Sequence, residues 1–279
     1  MHLNTPLMPP VSELWVYKGL TSLPTNKAAL ALKAGAPAIV NSLTELFNLS
    51  LSTGIYPAAF KQAKVTAIHK DSDLANPNNY RTISILPIIS KLLERHVSLS
   101  LSSYLNDNNL FNNLQSGFRE NHSCTTAMLN LYDDLLINGD KKRFSGLLLA
   151  DFSKAFDCVH HEVLINKLAD LGITNPWFQD YLTNRSQCVS HAGMYSKRLP
   201  ILAGVPQGSI LGPLLFTCLI NDLPTYFSNS STCHMFADDS TVMVTGNSID
   251  QIESGLNDAA KACANWAFDN RMLLNCNKN

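Results

Sequence analysis

Apolar residues recur along the chain with two different periods, and the switches between them mark out helices and strands. Residues 37–50 carry Ile39, Val40, Leu43, Leu46 and Phe47 at a helical spacing that stops before Thr53 and Gly54. Residues 63–69 alternate apolar and polar side chains as a strand does, and the polar loop 70–79 follows. The stretch 87–105 returns to the helical period, with Pro87 suited to a first turn and Ile88, Ile89, Leu92, Leu93 and Val97 forming one apolar stripe. A further helix is predicted over 125–137. The apolar strand 144–150 then delivers Asp151.

Two helices follow, over 162–171 and 177–182, and then a hairpin over 187–203 that turns near Gly193. Residues 209–223 read as a helix, because Pro213 falls within its first turn. Residues 233–244 read as two short strands with Asp238 and Asp239 at the turn between them. Ser248 and Gln251 form a capping box that opens a helix to about residue 270. This order predicts an α+β fold in which an antiparallel sheet is covered by helices on one face.

Composition narrows the class. Hydrophobic residues make up 46% of the 279 residues, enough to bury a sizeable core in one large domain or two subdomains. No apolar run reaches the ~20 residues that span a bilayer, so no membrane association is expected. The longest run, 210–220, is interrupted by Gly212, Pro213 and Thr217. The first residues lack the basic flank and apolar core of a secretory signal. Seven cysteines without a Cys-x-x-Cys spacing point to reduced thiols in an intracellular compartment, with nucleus and cytoplasm both open.

The chemistry concentrates in two acidic clusters, Asp151 after one strand and the pair Asp238 and Asp239 between two others. Carboxylates converging on one point repel unless divalent cations sit between them, and carboxylate oxygens with water and phosphate are the ligands Mg²⁺ prefers. Two such ions clamp the attacking and leaving oxygens of a phosphoryl transfer. Read alone, an Asp-Asp pair on a loop is usually solvated or a helix cap and only in the minority of cases a metal site. Between the clusters lies Gly204-Val-Pro-Gln-Gly-Ser-Ile-Leu-Gly-Pro213, whose glycines allow close backbone approach to a flat ligand and whose Gln207 offers an amide. The same string also reads as a turn ahead of a helix, with Ser209 as cap.

Taken in order, Asp151-Phe-Ser-Lys-Ala-Phe-Asp157, Gly204 to Pro213 and Phe236-Ala-Asp-Asp239 resemble the motifs of reverse transcriptases, specifically those of non-LTR (LINE-type) retrotransposons. Upstream, Asn79-Tyr-Arg-Thr-Ile-Ser-Ile-Leu-Pro87 and Gln115-Ser-Gly-Phe-Arg119 with His122 and Ser123 are similar to the fingers motifs of that family. Leu274-Asn-Cys-Asn-Lys278 is similar to its lysine-bearing palm motif. RNA-dependent RNA polymerases share the palm but typically carry glycine where this chain has Ala237.

The resemblance implies a polymerase right hand: a lead-in over 1–44, fingers over about 45–143 and a palm over about 144–279, with the thumb absent. It implies RNA-directed DNA polymerisation with an RNA template, a DNA primer and deoxynucleoside triphosphates. Two Mg²⁺ ions, or Mn²⁺ in their place, would be held by Asp151, Asp238, Asp239 and the backbone carbonyl of Phe152. Phe156 matches the aromatic residue that rejects a 2′-hydroxyl, Gln207 the contact to the incoming nucleotide, and Lys70 and Arg81 the cations on its phosphates. Lys278 matches the lysine beside the leaving pyrophosphate, a general acid. Oligomeric state is left open. For the adjacent His160 and His161, surface or cap roles are expected, since neighbouring helix positions do not share a face.

Departures from the family pattern add further expectations. Thr82 stands where relatives carry proline, which is expected to loosen a turn presenting Arg81. Cys158 to His161 replaces a segment that would supply a helix N-cap after Asp157. A glycine- and aspartate-bearing fingers segment is expected between Ala29 and Leu30 and is missing there. With the stop at Asn279, this reads as a decayed or mis-spliced copy, truncated and inactive as it stands, with little or no processive primer extension expected. Lys plus Arg total 21 against 22 acidic residues, so weak nucleic-acid binding is expected. Three readings stand: a polymerase with intact aspartates, a silent transposon remnant, and a non-catalytic nucleic-acid-binding module. The near-neutral charge argues against the third.

Overall fold

A computed structural model describes residues 8–70, 73–76, 79–191 and 193–275. The chain divides into two compact units built from interleaved segments. The first takes residues 1–108, 172–202 and 206–212; the second takes 109–171, 203–205 and 213–279. Residues 109–143, expected with the fingers, fall in the second unit, and 172–202 in the first.

The first unit opens with α1 (Glu13–Thr21) and α2 (Lys27–Thr53). Asn26 caps α2 by accepting from the Ala29 amide, and Gly54 ends it in the left-handed conformation, so the helix starts ten residues ahead of its strongest apolar stripe and tolerates Pro37 inside. Asn48 ties the helix to the chain start by bonding both the amide and the carbonyl of Val11. β1 (Gln62–His69) pairs antiparallel with β2 (Tyr80–Ile85) and parallel with β4 (Arg185–His191). β4 also pairs with β5 (Met194–Tyr195) and β6 (Leu199–Ile201). α3 (Ile88–Asp107) and α6 (Pro176–Leu182) complete the unit. Tyr56, Trp177, Phe178 and Tyr181 form an edge-to-face and stacked aromatic core.

Thr82 lies within β2, opposite Ala67, and not in a turn. The expected loosening therefore does not arise: a β-branched residue suits a strand and contributes a backbone donor where proline has none.

The second unit centres on a three-stranded antiparallel sheet, β3 (Phe144–Ala150), β8 (Asp239–Gly246) and β7 (Ser231–Phe236), with β8 in the middle. α8 (Ile249–Asp269) packs against it where glycines leave room: a side chain at Gly146 would meet Ile252 and Leu256, and one at Gly255 would strike Val244. α4 (Cys124–Asp140) approaches through Asn138, which contacts Met243. Val244 and Met243 are successive strand residues and point to opposite faces, so helices touch both faces of this sheet and not one alone. α5 (His161–Asp170) and α7 (Leu211–Ile220) follow the first acidic cluster and the glycine-rich string. The N-cap of α5 is His160, which makes no side-chain cap bond, as the departure after Asp157 leads one to expect. Among the described residues no helix is long and apolar enough to cross a membrane.

Candidate functional site

In the second unit the β3–β8 register pairs Ala150 with Ser240, which sets Asp151, the next residue after β3, beside the start of β8. β7 and β8 are joined by a two-residue turn, Ala237 and Asp238, with Phe236 and Asp239 paired across it. The two acidic clusters thus stand at the same end of adjacent strands. Asp151 is tethered to the last described segment: Asn275 Nδ2 donates to its Oδ2 at 2.8 Å, and the Asn275 amide donates to its carbonyl at 2.9 Å. Ser153 completes this short ladder by donating to the Leu273 carbonyl. These bonds use the carbonyl of Asp151 and the amide of Ser153, so the ladder leaves the Phe152 carbonyl to other uses.

Asp239 opens β8 and is exposed, while Asp238 sits in the turn. Among the described residues no three His, Cys, Asp or Glu side chains group as a metal cage. By the β3–β8 register the residue opposite Asp151 is Asp239, the first of β8, with Asp238 one position away in the turn. Aspartates of both clusters thus lie at one end of the sheet, with the Phe152 backbone carbonyl next to Asp151. This donor set suits Mg²⁺, which takes one or two carboxylates and fills its octahedron with water and substrate phosphate.

Phe156 is half-buried, with its ring 4.8 Å from Phe216 and 6.1 Å, edge on, from Phe118. Its carbonyl accepts from Val205, and Val159 holds Gly204, so the start of the glycine-rich string is laced to the segment after Asp151. Gly204 has φ +90° and a side chain there would run into the Asp157 backbone, so only glycine is accommodated. His161 Nε2 bonds the Gly204 carbonyl at 2.8 Å. It anchors the string instead of serving a cap, while His160 pairs with Arg271 at the surface.

In the first unit Lys70 and Arg81 both lie on the β1–β2 hairpin. Arg81 pairs with Ile68, and the Lys70 amide donates to the Asn79 carbonyl, so by alternation the two cations share one face. Gln207 is brought to the same hairpin, its carbonyl accepting from Ser84 at 2.7 Å. The following Gly208, at φ +121°, lies so close to Ser84 that any side chain would collide with that backbone. Ser209 Oγ accepts from Gly212, so the turn-and-cap reading of this string holds alongside its contact with β2 at Ser84. Lys278 lies outside the described residues.

Two anchoring residues escaped the sequence reading. Glu94, fully buried in α3, accepts from the amides of Ile210 (2.8 Å) and Leu211 (3.3 Å) and from the Tyr56 hydroxyl (3.2 Å). Burial pushes its carboxyl above the usual range, against the pull of those amides and of Arg185. Gln115 is also fully buried and accepts from the Ala237 amide. The signal for Glu94 was present: it lies three and seven residues before Val97 and Leu101, and a glutamate on that apolar helix face needs a partner.

The chain is similar to known proteins in sequence and in fold. It is 29% identical over 99% of its length to the probable RNA-directed DNA polymerase from transposon BS of Drosophila melanogaster, covering 32% of that protein. It is 30% identical over 85% of its length to the RNA-directed DNA polymerase from mobile element jockey of the same fly, covering 27% of it. The chain therefore spans about a third of these relatives, between 27% and 32% of their length. Its fold is similar to that of apo telomerase from Candida tropicalis truncated from its C-terminal domain, with a TM-score of 0.55 at 14% identity over 86% of this chain and 54% of that one. Residues 68–279 match the family described as reverse transcriptase (RNA-dependent DNA polymerase), and the chain belongs to that family, as a reverse transcriptase domain of the non-LTR retrotransposon type.

Proposed function

We propose that the chain carries the polymerising centre of an RNA-directed DNA polymerase, joining deoxynucleoside triphosphates to a DNA primer on an RNA template. The observation that supports this reading is the placement of Asp151 and Asp238 at one end of adjacent strands, on separate elements held by backbone ladders. Asp151, Asp238 and the Phe152 carbonyl would hold the divalent ions, with Asp239 alongside. Bound by these residues, such ions would supply charge neutralisation at the triphosphate and would lower the pKa of the attacking hydroxyl.

The chain's own residues do the positioning. Lys70 and Arg81, on one face of their hairpin, bind the triphosphate through charge-assisted bonds. Gln207, held by Ser84, lies against the incoming nucleotide. Phe156, with one face packed on Phe216, occupies the space of a 2′-hydroxyl. Lys278 would donate a proton to the leaving pyrophosphate. In this reading the second unit is chiefly palm, and the hairpin of the first unit belongs to the fingers.

The test is extension of a DNA primer annealed to an RNA template, with Mg²⁺ and all four deoxynucleoside triphosphates. The unmodified chain should extend the primer by short, non-processive additions, and Asp151→Asn and Asp238→Asn should each abolish them. No incorporation by the unmodified chain, or incorporation that survives both substitutions, refutes the reading.

A further inference from the structure

We propose that Gln115 is a positioning residue that holds the turn bearing Asp238 in its working shape. The inference rests on the polymerase reading of Asp238 and extends it to a residue that touches no substrate. Its starting point is a strained backbone. In the two-residue turn between β7 and β8, Ala237 has φ +59°. Two-residue hairpins with positive φ at their first position favour glycine there, because a Cβ crowds the carbonyl in the left-handed region. The amide of that first residue points out of the hairpin and takes no part in its ladder. An alanine turn of this kind needs an outside acceptor for that amide and an outside wall.

Gln115 and Gly117 supply both. Gln115 Oε1 accepts from the Ala237 amide at 3.2 Å and from the Gly117 amide at 2.7 Å. Both partners are N–H donors, so the oxygen must be the atom that faces them and the amide orientation is not ambiguous. The segment itself is fastened to β7: Met235 donates to the Leu114 carbonyl at 2.9 Å, and Ser116 donates to the Met235 carbonyl at 2.8 Å. Gly117 lies so near the turn that a side chain there would strike the Ala237 backbone. Arg119 locks the segment from behind, donating to the carbonyls of Asn112 and Gln115.

Among the described residues, Gln115 finds no hydrogen-bond partner for its buried amide nitrogen. Its oxygen is what the site uses. Asp151 and Asp238 stand on separate elements, and Mg²⁺ tolerates little error in ligand separation. A loose turn therefore weakens the metal site even with both carboxylates present.

The experiment compares Gln115→Met, which keeps the volume but removes the acceptor, with Gln115→Glu, which keeps an acceptor oxygen in either protonation state. The first readout needs no activity: amide hydrogen exchange of the metal-free chain. Loss of two hydrogen bonds in Gln115→Met should speed exchange across 235–240 by about tenfold or more, while peptides of α8 and the middle of β3 stay protected and show that the unit is folded. The second readout is Mn²⁺ binding followed by electron paramagnetic resonance, where Gln115→Met should weaken affinity about tenfold and Gln115→Glu should retain it. Unchanged exchange in Gln115→Met overturns the clamp. Faster exchange with unchanged Mn²⁺ affinity overturns the positioning role. If the unmodified chain binds no Mn²⁺ while residues 235–240 are well protected, the metal reading of Asp238 has failed and the proposal falls with it, an outcome told apart by the intact exchange pattern.

Discussion

Replacing Glu94 by alanine should destabilise the first unit by about 3–5 kcal/mol, the range for removing one partner from a buried charged network. The carboxylate is fully buried and serves three donors, the amides of Ile210 and Leu211 through Oε2 and the Tyr56 hydroxyl through Oε1. Alanine leaves all three without an acceptor, each at a cost of about 1–3 kcal/mol that local relaxation reduces only in part. It also removes the nearest countercharge from Arg185, which is 1% exposed and stacked on Tyr56 and Tyr181. Glu94→Gln behaves differently, because its oxygen can still accept from the two amides while its NH₂ faces the tyrosine oxygen. That change should cost at most about 1 kcal/mol, since it also relieves the desolvation of a buried carboxylate. Urea unfolding followed by circular dichroism, with hydrogen exchange of the 209–216 peptide to locate the effect, measures both. An alanine variant within about 1 kcal/mol of the parent, or one no weaker than the glutamine variant, would refute the view that Glu94 anchors the start of α7 through its oxygens.

Three further outcomes are expected. Because the folded-state pKa of Glu94 is raised above its ordinary 4.5, the stability of the parent relative to Glu94→Gln should be greatest below that pH and fall as pH rises through the shifted value; a flat or rising difference between the two proteins contradicts the shift. Phe156→Val should let ribonucleoside triphosphates compete with deoxynucleotides in primer extension, and undiminished discrimination would reduce Phe156 to a packing residue on Phe216. Iodoacetamide at pH 8 should label Cys124, which is exposed, well before Cys218, Cys233 and Cys263, whose buried thiols are pushed up to about 12, 12 and 11; mass spectrometry of labelled peptides checks the order.

Much of the architecture was legible from periodicity. The strand ending at Ala150, the helices over Ile88–Asp107 and Ile249–Asp269, and the turn at Asp238 all follow from local patterns, because apolar spacing and capping act over a few residues. The motif order likewise pointed to the family before any coordinates. The reach of α2 back to Asn26 was less visible, since its first turns are alanine-rich and carry no sharp stripe. β2 was hidden inside a motif read for its chemistry, although Tyr-Arg-Thr-Ile-Ser-Ile is a β-branched run.

What the residues determine by themselves are the acidic clusters, the glycines that must remain glycine and the elements that carry them. What only the tertiary structure decided is which distant segments support them. Gln115 meets Ala237 across 122 residues, Glu94 meets Ile210 across 116, and Asn275 meets Asp151 across 124. None of these pairings has a local period or spacing to announce it. Each depends on an amide or carboxylate finding a donor or acceptor that the folded chain alone brings within reach, and the cost of leaving such a group unpaired is what makes the arrangement specific.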